Sequence, residues 1–187
     1  MSPSGNTERE FEELAMPHFD SLYNFARWLA RDREEAEDLV QEAYAKALKG
    51  FASFTPGTNF RAWIFRILRN AFLTSRTGLA ARMTTALEDE EITPAAAVET
   101  QTPESLLLSR SSHEAVHLAI EGLPVHYREV LLLSDVEEMR YQEIAETLDI
   151  PVGTVMSRLN RARKSVRQAL SSSLAVERTA TSAGREK

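Results

Sequence analysis

The chain contains no cysteine in 187 residues. That excludes disulfides, thiol catalysis and any thiol redox sensor within it. Nor is there a surplus of positive charge: the formal net charge is -6, which argues against a protein that coats nucleic acid over its whole surface. No apolar run approaches membrane-spanning length, so no membrane insertion is expected. The opening MSPSGNTEREFEEL is polar and acidic, unlike a secretory signal, and points to a cytoplasmic protein. Four histidines yield only one helical pair, His113 and His117. That pair lacks the acid of an HExxH zinc site, so neither a metal, a cofactor nor an enzyme activity is expected. No segment alternates as a convincing strand, and almost every patterned stretch has the helical period.

What is present is concentrated near the C-terminus. In YQEIAETLDIPVGTVMSRLNRARKSVR (141–167), Tyr141, Ile144, Ala145 and Leu148 form one apolar stripe. Asp149-Ile150-Pro151 interrupts it, because a residue before proline leaves helical geometry while proline fits a helix's first turn. Val155, Leu159, Ala162 and Val166 then fall on one side of a second helix. Ser157, Asn160, Arg161, Lys164 and Gln168 fall on the other, flanked by Arg158, Arg163 and Arg167. A helix-turn-helix with hydrogen-bonding and cationic groups on its outer face suits base edges and phosphates. Charge supports this: residues 151–187 hold eight cations against two anions, whereas 81–150 hold four against fifteen. One small basic surface on an acidic body implies weak DNA affinity alone, and therefore a partner.

Upstream, apolar residues from Phe11 to Leu29 predict a helix or helix pair broken near Pro17. RDREEAEDLVQEAYAKALKG carries a stripe of Ala36, Leu39, Val40, Ala43, Tyr44, Ala47 and Leu48, with Asp32, Glu34 and Glu35 at its start and Gly50 as its stop. FASFTPGTNF (51–60) predicts a loop, and Arg61–Ser75 a helix with Trp63, Ile64, Ile67, Leu68, Ala71 and Phe72 inward. Residues 77–103 are acidic and poor in large apolar groups, hence a flexible linker. Helical periodicity returns at Glu104–Glu121 and Tyr127–Asp135. The expected fold class is all-α, two small helical domains on a flexible acidic linker. In order, these are an N-terminal tip (1–10), a first domain (11–76), the linker (77–103), a second domain (104–172) and a frayed tail (173–187).

Trp63 with Phe51, Phe54, Phe60, Phe65 and Phe72, interleaved with Arg61, Arg66, Arg69 and Arg76, has the composition of a single-strand stacking surface. An ordinary aromatic core has the same composition, and both readings stay open on composition alone.

The run EEAEDLVQEAYAKALKGFASFTPGTNFRAWIFRILRNAF resembles conserved region 2 of the extracytoplasmic-function sigma factors of bacterial RNA polymerase. YQEIAETLDIPVGTVMSRLNRAR is similar to their region 4. Only the tip, the linker and the tail lack matching motifs. The resemblance implies a sigma factor that binds core RNA polymerase, recognises −35 and −10 promoter elements and promotes DNA opening. The polymerisation chemistry would belong to the partner. It places polymerase docking on Asp38, Gln41 and Glu42, which on chemistry alone are equally a solvated polar face. It places the single-stranded −10 element on Phe54, Thr58, Asn59, Arg66, Arg69 and Asn70, by capture of a flipped base. It places the duplex −35 element on Thr154, Met156, Ser157, Arg158, Asn160, Arg161 and Lys164. Ser157, Asn160 and Arg161 then read base edges, Arg158 and Lys164 hold phosphates, and Met156 offers apolar contact only. Glu88–Glu91 would lie in a connector where negative charge imitates nucleic acid. An anti-sigma factor is implied as a further partner. The GTNF, RAW and IFRIL segments are particularly like the branch with zinc-containing, redox-responsive anti-sigma factors, in which case sensing belongs to that partner. The alternative is a free-standing helix-turn-helix regulator of duplex DNA, which would leave the EDLVQEA helix and the aromatic loop without a purpose.

Overall fold

The structure, a computed structural model, describes the backbone of residues 3–80 and 106–183, and side-chain environments for 7–76 and 113–172. The described residues form eight α-helices with short 3-10 and π segments and no strand: α1 Pro3–Ala15, α2 Phe19–Ala30, α3 Arg33–Gly50, α4 Phe60–Ala80, α5 Leu106–Glu121, α6 Val125–Leu131, α7 Tyr141–Leu148 and α8 Val152–Ala183. Most of the linker expectation, Glu88–Glu91 included, lies outside the described residues. Where a frayed tail is expected from 173, the backbone stays helical through Ala183, and 184–187 lie outside the described residues. The expected N-terminal tip is largely helical too, since α1 begins at Pro3.

Contacts divide the chain into two compact units: Met1–Glu88 with Leu132–Met156, and Asp89–Leu131 with Ser157–Lys187. The first unit is built on α2, α3 and α4. Leu22, Phe25, Ala26 and Leu29 of α2, Ala36, Leu39, Val40, Ala43 and Ala47 of α3, and Ile64, Phe65, Leu68, Ala71 and Phe72 of α4 are all buried. Fully burying each large side chain among them contributes about 1.5–3 kcal/mol. Small residues at Ala36, Ala43 and Ala47 let neighbouring helices approach α3 closely. Asp32 caps that helix, its Oδ1 accepting from the Glu35 N–H at 2.9 Å, with Glu34 and Glu35 favourable at the positive end of the dipole.

Several expectations need correction. Gly50 has φ −87°, so it ends α3 without the left-handed cap that glycine would supply. The chain instead tightens into a 3-10 turn over Phe51–Ser53. The left-handed glycine is Gly57, at φ 86°, where the loop reverses. Trp63 and Ile67 are only half-buried, and Leu48 at the end of its stripe is exposed. On α5 the stripe is shallower than its period suggests: Val116 and Leu118 are exposed, and Ala115, Ala119 and Ile120 half-buried.

The helix-turn-helix begins with α7, where Ile144, Ala145 and Leu148 are buried as expected but Tyr141 is exposed. The chain leaves helical geometry at Asp149, φ 54°, one residue earlier than proline's effect on Ile150 would predict. Aspartate tolerates the left-handed region better than most residues. The Asp149 and Ile150 N–H groups both return to the Ala145 carbonyl. Pro151 then opens α8, its carbonyl accepting from the Thr154 N–H at 2.9 Å and the Val155 N–H at 3.1 Å.

Candidate nucleic-acid interfaces

Val155, Leu159 and Ala162 of α8 are fully or almost fully buried, which sets the helix's rotation; Val166 is half-buried. At 100° per residue, Ser157, Asn160, Arg161 and Lys164 lie roughly opposite that stripe. All four are exposed, as is Met156 at 54%. Thr154 is half-buried on the flank. Arg158 differs from the others: its Nη1 lies 4.0 Å from Oε1 of Glu129, and only 27% of its side chain is exposed. Glu129 is itself 1% exposed. Arg161 Nη1 donates to the Tyr127 hydroxyl at 3.4 Å. Both partners lie on α6, which Arg128 anchors to the preceding turn. Its guanidinium, buried, donates to the carbonyls of Ile120, Glu121 and Leu123 at 3.3, 2.7 and 2.8 Å. Ile120 and Glu121 lie in the last turn of α5 and Leu123 in the turn after it, where the helix's own N–H groups no longer supply an i+4 partner.

The second candidate surface is the 54–70 segment of the first unit. Phe54 is half-buried in an aromatic cluster, stacked on Phe51 at 6.0 Å and packed against Phe60 at 5.3 Å and Trp63 at 5.2 Å. Thr58 turns back on the loop, its hydroxyl donating to the Thr55 carbonyl at 2.7 Å. Asn59 caps α4: Oδ1 accepts from the Ala62 N–H at 3.0 Å, while Nδ2 donates to Glu143 Oε1 at 2.7 Å. Glu143 is in turn the residue whose carboxylate accepts from the Arg140 N–H at the start of α7, at 2.7 Å. The same carboxylate therefore satisfies one helix start and tethers the cap of another. Beside it, Arg61 Nη2 donates to both the carbonyl and the carboxylate of Glu137, at 2.7 Å each. Arg66 and Asn70 are exposed one turn apart on α4, and Arg69 is half-buried.

His18 closes this corner. Its ring stacks near Phe60 with centroids 6.1 Å apart. Burial, followed by the Arg61 cation, holds its pKa below the ordinary value, with Glu137 opposing. Tyr44 bonds the Ala15 carbonyl at 2.9 Å; burial, then the charge of Asp20, pushes its pKa up to about 12, so it remains a donor at physiological pH. Asp38, Gln41 and Glu42 are exposed together on α3, on the side away from its buried alanines. Glu42 pairs with Lys46 one turn on.

Sequence reasoning named Arg61 only as part of a stacking surface, and missed Glu137 and Glu143 in the first unit and Tyr127, Arg128 and Glu129 in the second. The adjacent charges of Arg128-Glu129, set inside the apolar run VHYREVLLL, were the available signal. Buried ions must be paired or bonded to the backbone, so such a pair marks an internal anchor. Among the described residues, no group of three His, Asp or Glu side chains could hold a metal ion. Nor is any helix of the described residues long and apolar enough to cross a membrane.

The described residues thus form an all-helical arrangement with a helix-turn-helix whose second helix exposes polar and basic side chains. Residues 14–82 match the Sigma-70 region 2 family and residues 113–166 the Sigma-70, region 4 family. The chain is 34% identical over 162 residues to the ECF RNA polymerase sigma factor SigE of Mycolicibacterium smegmatis, covering 86% of this chain and 61% of that protein's length. It is 35% identical over 140 residues to the ECF RNA polymerase sigma-E factor of Escherichia coli, covering 71% and 72%. Among solved structures, the sigma factor RpoE of Bartonella quintana, crystallised with the anti-sigma factor NepR, superposes with a TM-score of 0.68 at 28% identity. That match covers 87% of this chain and 98% of RpoE. The chain belongs to the extracytoplasmic-function RNA polymerase sigma factors.

Proposed function

We propose that the chain joins core RNA polymerase in the cytoplasm, directs it to −35 and −10 promoter elements and promotes opening of the DNA. It supplies recognition and leaves polymerisation chemistry to the polymerase. The observation that carries this reading is the register of α8: its buried stripe turns Ser157, Asn160, Arg161 and Lys164 outward as a set. Ser157, Asn160 and Arg161 read −35 base edges in the major groove, and Lys164 and Arg158 contact phosphates. Thr154 and Met156 complete that surface.

Residues Phe54, Thr58, Asn59, Arg66, Arg69 and Asn70 engage the single-stranded −10 element. A base leaving the stack loses a few kcal/mol of stacking and pairing, offset by a pocket and by backbone contacts. The functional boundaries follow the sequence motifs: 11–76 for polymerase docking and −10 recognition, 77–103 as linker, 104–172 for −35 recognition. An anti-sigma factor is a further partner, as in the Bartonella complex. Any redox signal is sensed by that partner, since this chain has no cysteine.

Run-off transcription with core polymerase tests the reading. Initiation from a cognate promoter only in the presence of this chain is the expected result. Binding to duplex DNA with no stimulation on any promoter would instead indicate a free-standing regulator. Docking is tested separately: Asp38→Ala with Gln41→Ala lowers capture of core polymerase in a pull-down and leaves the thermal transition unchanged. Undiminished capture would remove α3 as the docking helix.

A further inference from the structure

Tyr127 and Arg161 lie 34 residues apart in sequence, yet their side chains meet at 3.4 Å. The two differ in burial. Tyr127 is 4% exposed, its ring beside His126 with centroids 4.1 Å apart. Its N–H is bonded to the Pro124 carbonyl at 3.0 Å, and the neighbouring Arg128 is tied to three carbonyls. The phenol is therefore held by the packed structure around its ring. Arg161, by contrast, is an exposed residue on a helix face that carries no apolar packing.

A fixed acceptor beside a long cation has a definite consequence. Arginine has five N–H donors in one plane and no acceptor. The phenol engages one nitrogen end of that plane and selects among the rotamers the side chain would otherwise sample. Reading a guanine edge needs two donors of the same fork at once, at the correct angle. A side chain already confined to that orientation loses less conformational freedom on binding, and its competing orientations are suppressed.

We propose that Tyr127 is a positioning residue that presets the Arg161 guanidinium for reading a base edge. The inference rests on the assignment of Arg161 to the −35 element. Its neighbour one turn earlier, Arg158, lies beside Glu129 of the same short helix, so α6 supports two arginines of α8. The phenol acts through Arg161 and does not itself touch DNA. A hydroxyl acceptor at 3.4 Å sharpens discrimination and leaves the phosphate contacts as they are.

The test uses the full chain assembled with core polymerase, allowed to capture duplexes from a library randomised through the −35 window. Base preferences are read by sequencing for the native chain, Tyr127→Phe, Arg161→Ala and the double variant, and thermal unfolding is recorded for each. Arg161→Ala is expected to flatten preference at the base it reads by about 5- to 150-fold. Tyr127→Phe keeps the buried ring and is expected to flatten the same position by about three- to tenfold, leaving other positions unchanged. The double variant should match Arg161→Ala. A native profile for Tyr127→Phe beside a flattened one for Arg161→Ala overturns the proposal and leaves the DNA assignment standing. So does further flattening when Tyr127→Phe is added to Arg161→Ala. A uniform loss at all positions with a lowered melting temperature would make Tyr127 merely structural. If Arg161→Ala itself leaves the profile native, the assignment fails, and the proposal with it.

Discussion

The outer face of α8 and the 54–70 segment are both candidate DNA surfaces, but they stand in different states before any DNA arrives. The α8 face is held out by a rigid helix whose opposite side is buried at Val155, Leu159 and Ala162. In the loop part of the 54–70 segment, side chains already serve the chain's own turns and caps. Thr58 bonds Thr55, Asn59 bonds Ala62 and Glu143, and Phe54 rests on three aromatic rings. A helix can present side chains without using them in its own stability, because its backbone bonds are internal. A loop cannot, because its backbone turns depend on side-chain caps. On the proposed function, binding at α8 leaves the helix backbone as it is, with Arg161 and Arg158 already resting on Tyr127 and Glu129, while binding through Asn59 exchanges a hydrogen bond that caps a helix for another. Such an exchange has only a modest net free energy.

The comparison can be broken or sharpened by substitution. The largest effect on binding is expected on α8, where Arg161→Ala costs about 1–3 kcal/mol of discrimination at one base position, while Lys164→Ala weakens all sequences alike and lowers the salt slope by about 1. Filter binding or fluorescence anisotropy across a salt series separates the two. If the two substitutions behave identically, the face is a general phosphate surface.

At the loop, Asn59→Ala should lower stability by about 0.5–2 kcal/mol through loss of the α4 cap, measured by urea unfolding. Asn59→Asp restores the capping oxygen but sets a carboxylate against Glu143, and should recover only part of that loss. Full recovery would mean that the Glu143 bond contributes nothing, and the loop would then resemble α8 more closely than the structure implies.

The smallest effect concerns His18. Its pKa is lowered in the folded chain, so the unfolded chain binds the proton more readily. Stability from this site is complete above about pH 6.5 and falls as pH drops through that value toward the lowered one. Urea midpoints measured from pH 7.5 to 5 should therefore fall more for the native chain than for His18→Gln. Parallel curves would show that the ring by Phe60 and Arg61 is not held neutral by its surroundings.

Periodicity made much of the framework readable. The positions of α3, α4, α7 and α8 follow from apolar residues three and four apart, and Asp32 and Pro151 mark two of the starts. The register of α8 was equally legible, and with it the exposed residues of the −35 candidate surface. The loop was legible only as a loop. Its aromatic composition suited a stacking surface and a packed core alike, and the structure places Phe54 half in, against Phe51, Phe60 and Trp63. Gly50 does mark the end of α3, but with right-handed backbone, because a glycine's identity alone does not reveal its φ.

By itself, then, the sequence determined that the chain is helical, where its helices turn, which face of α8 is polar, and that no thiol chemistry occurs within it. These are properties of one residue type or of spacing along a single helix, and short-range periodicity records them directly. Tertiary structure alone decided that Asn59 meets Glu143, Arg61 meets Glu137, Arg161 meets Tyr127 and Arg158 meets Glu129. Each of these is one polar pair between residues at least 29 positions apart, and a single such pair leaves no repeating trace in the chain. Only folding brings the partners within hydrogen-bonding or ion-pairing distance.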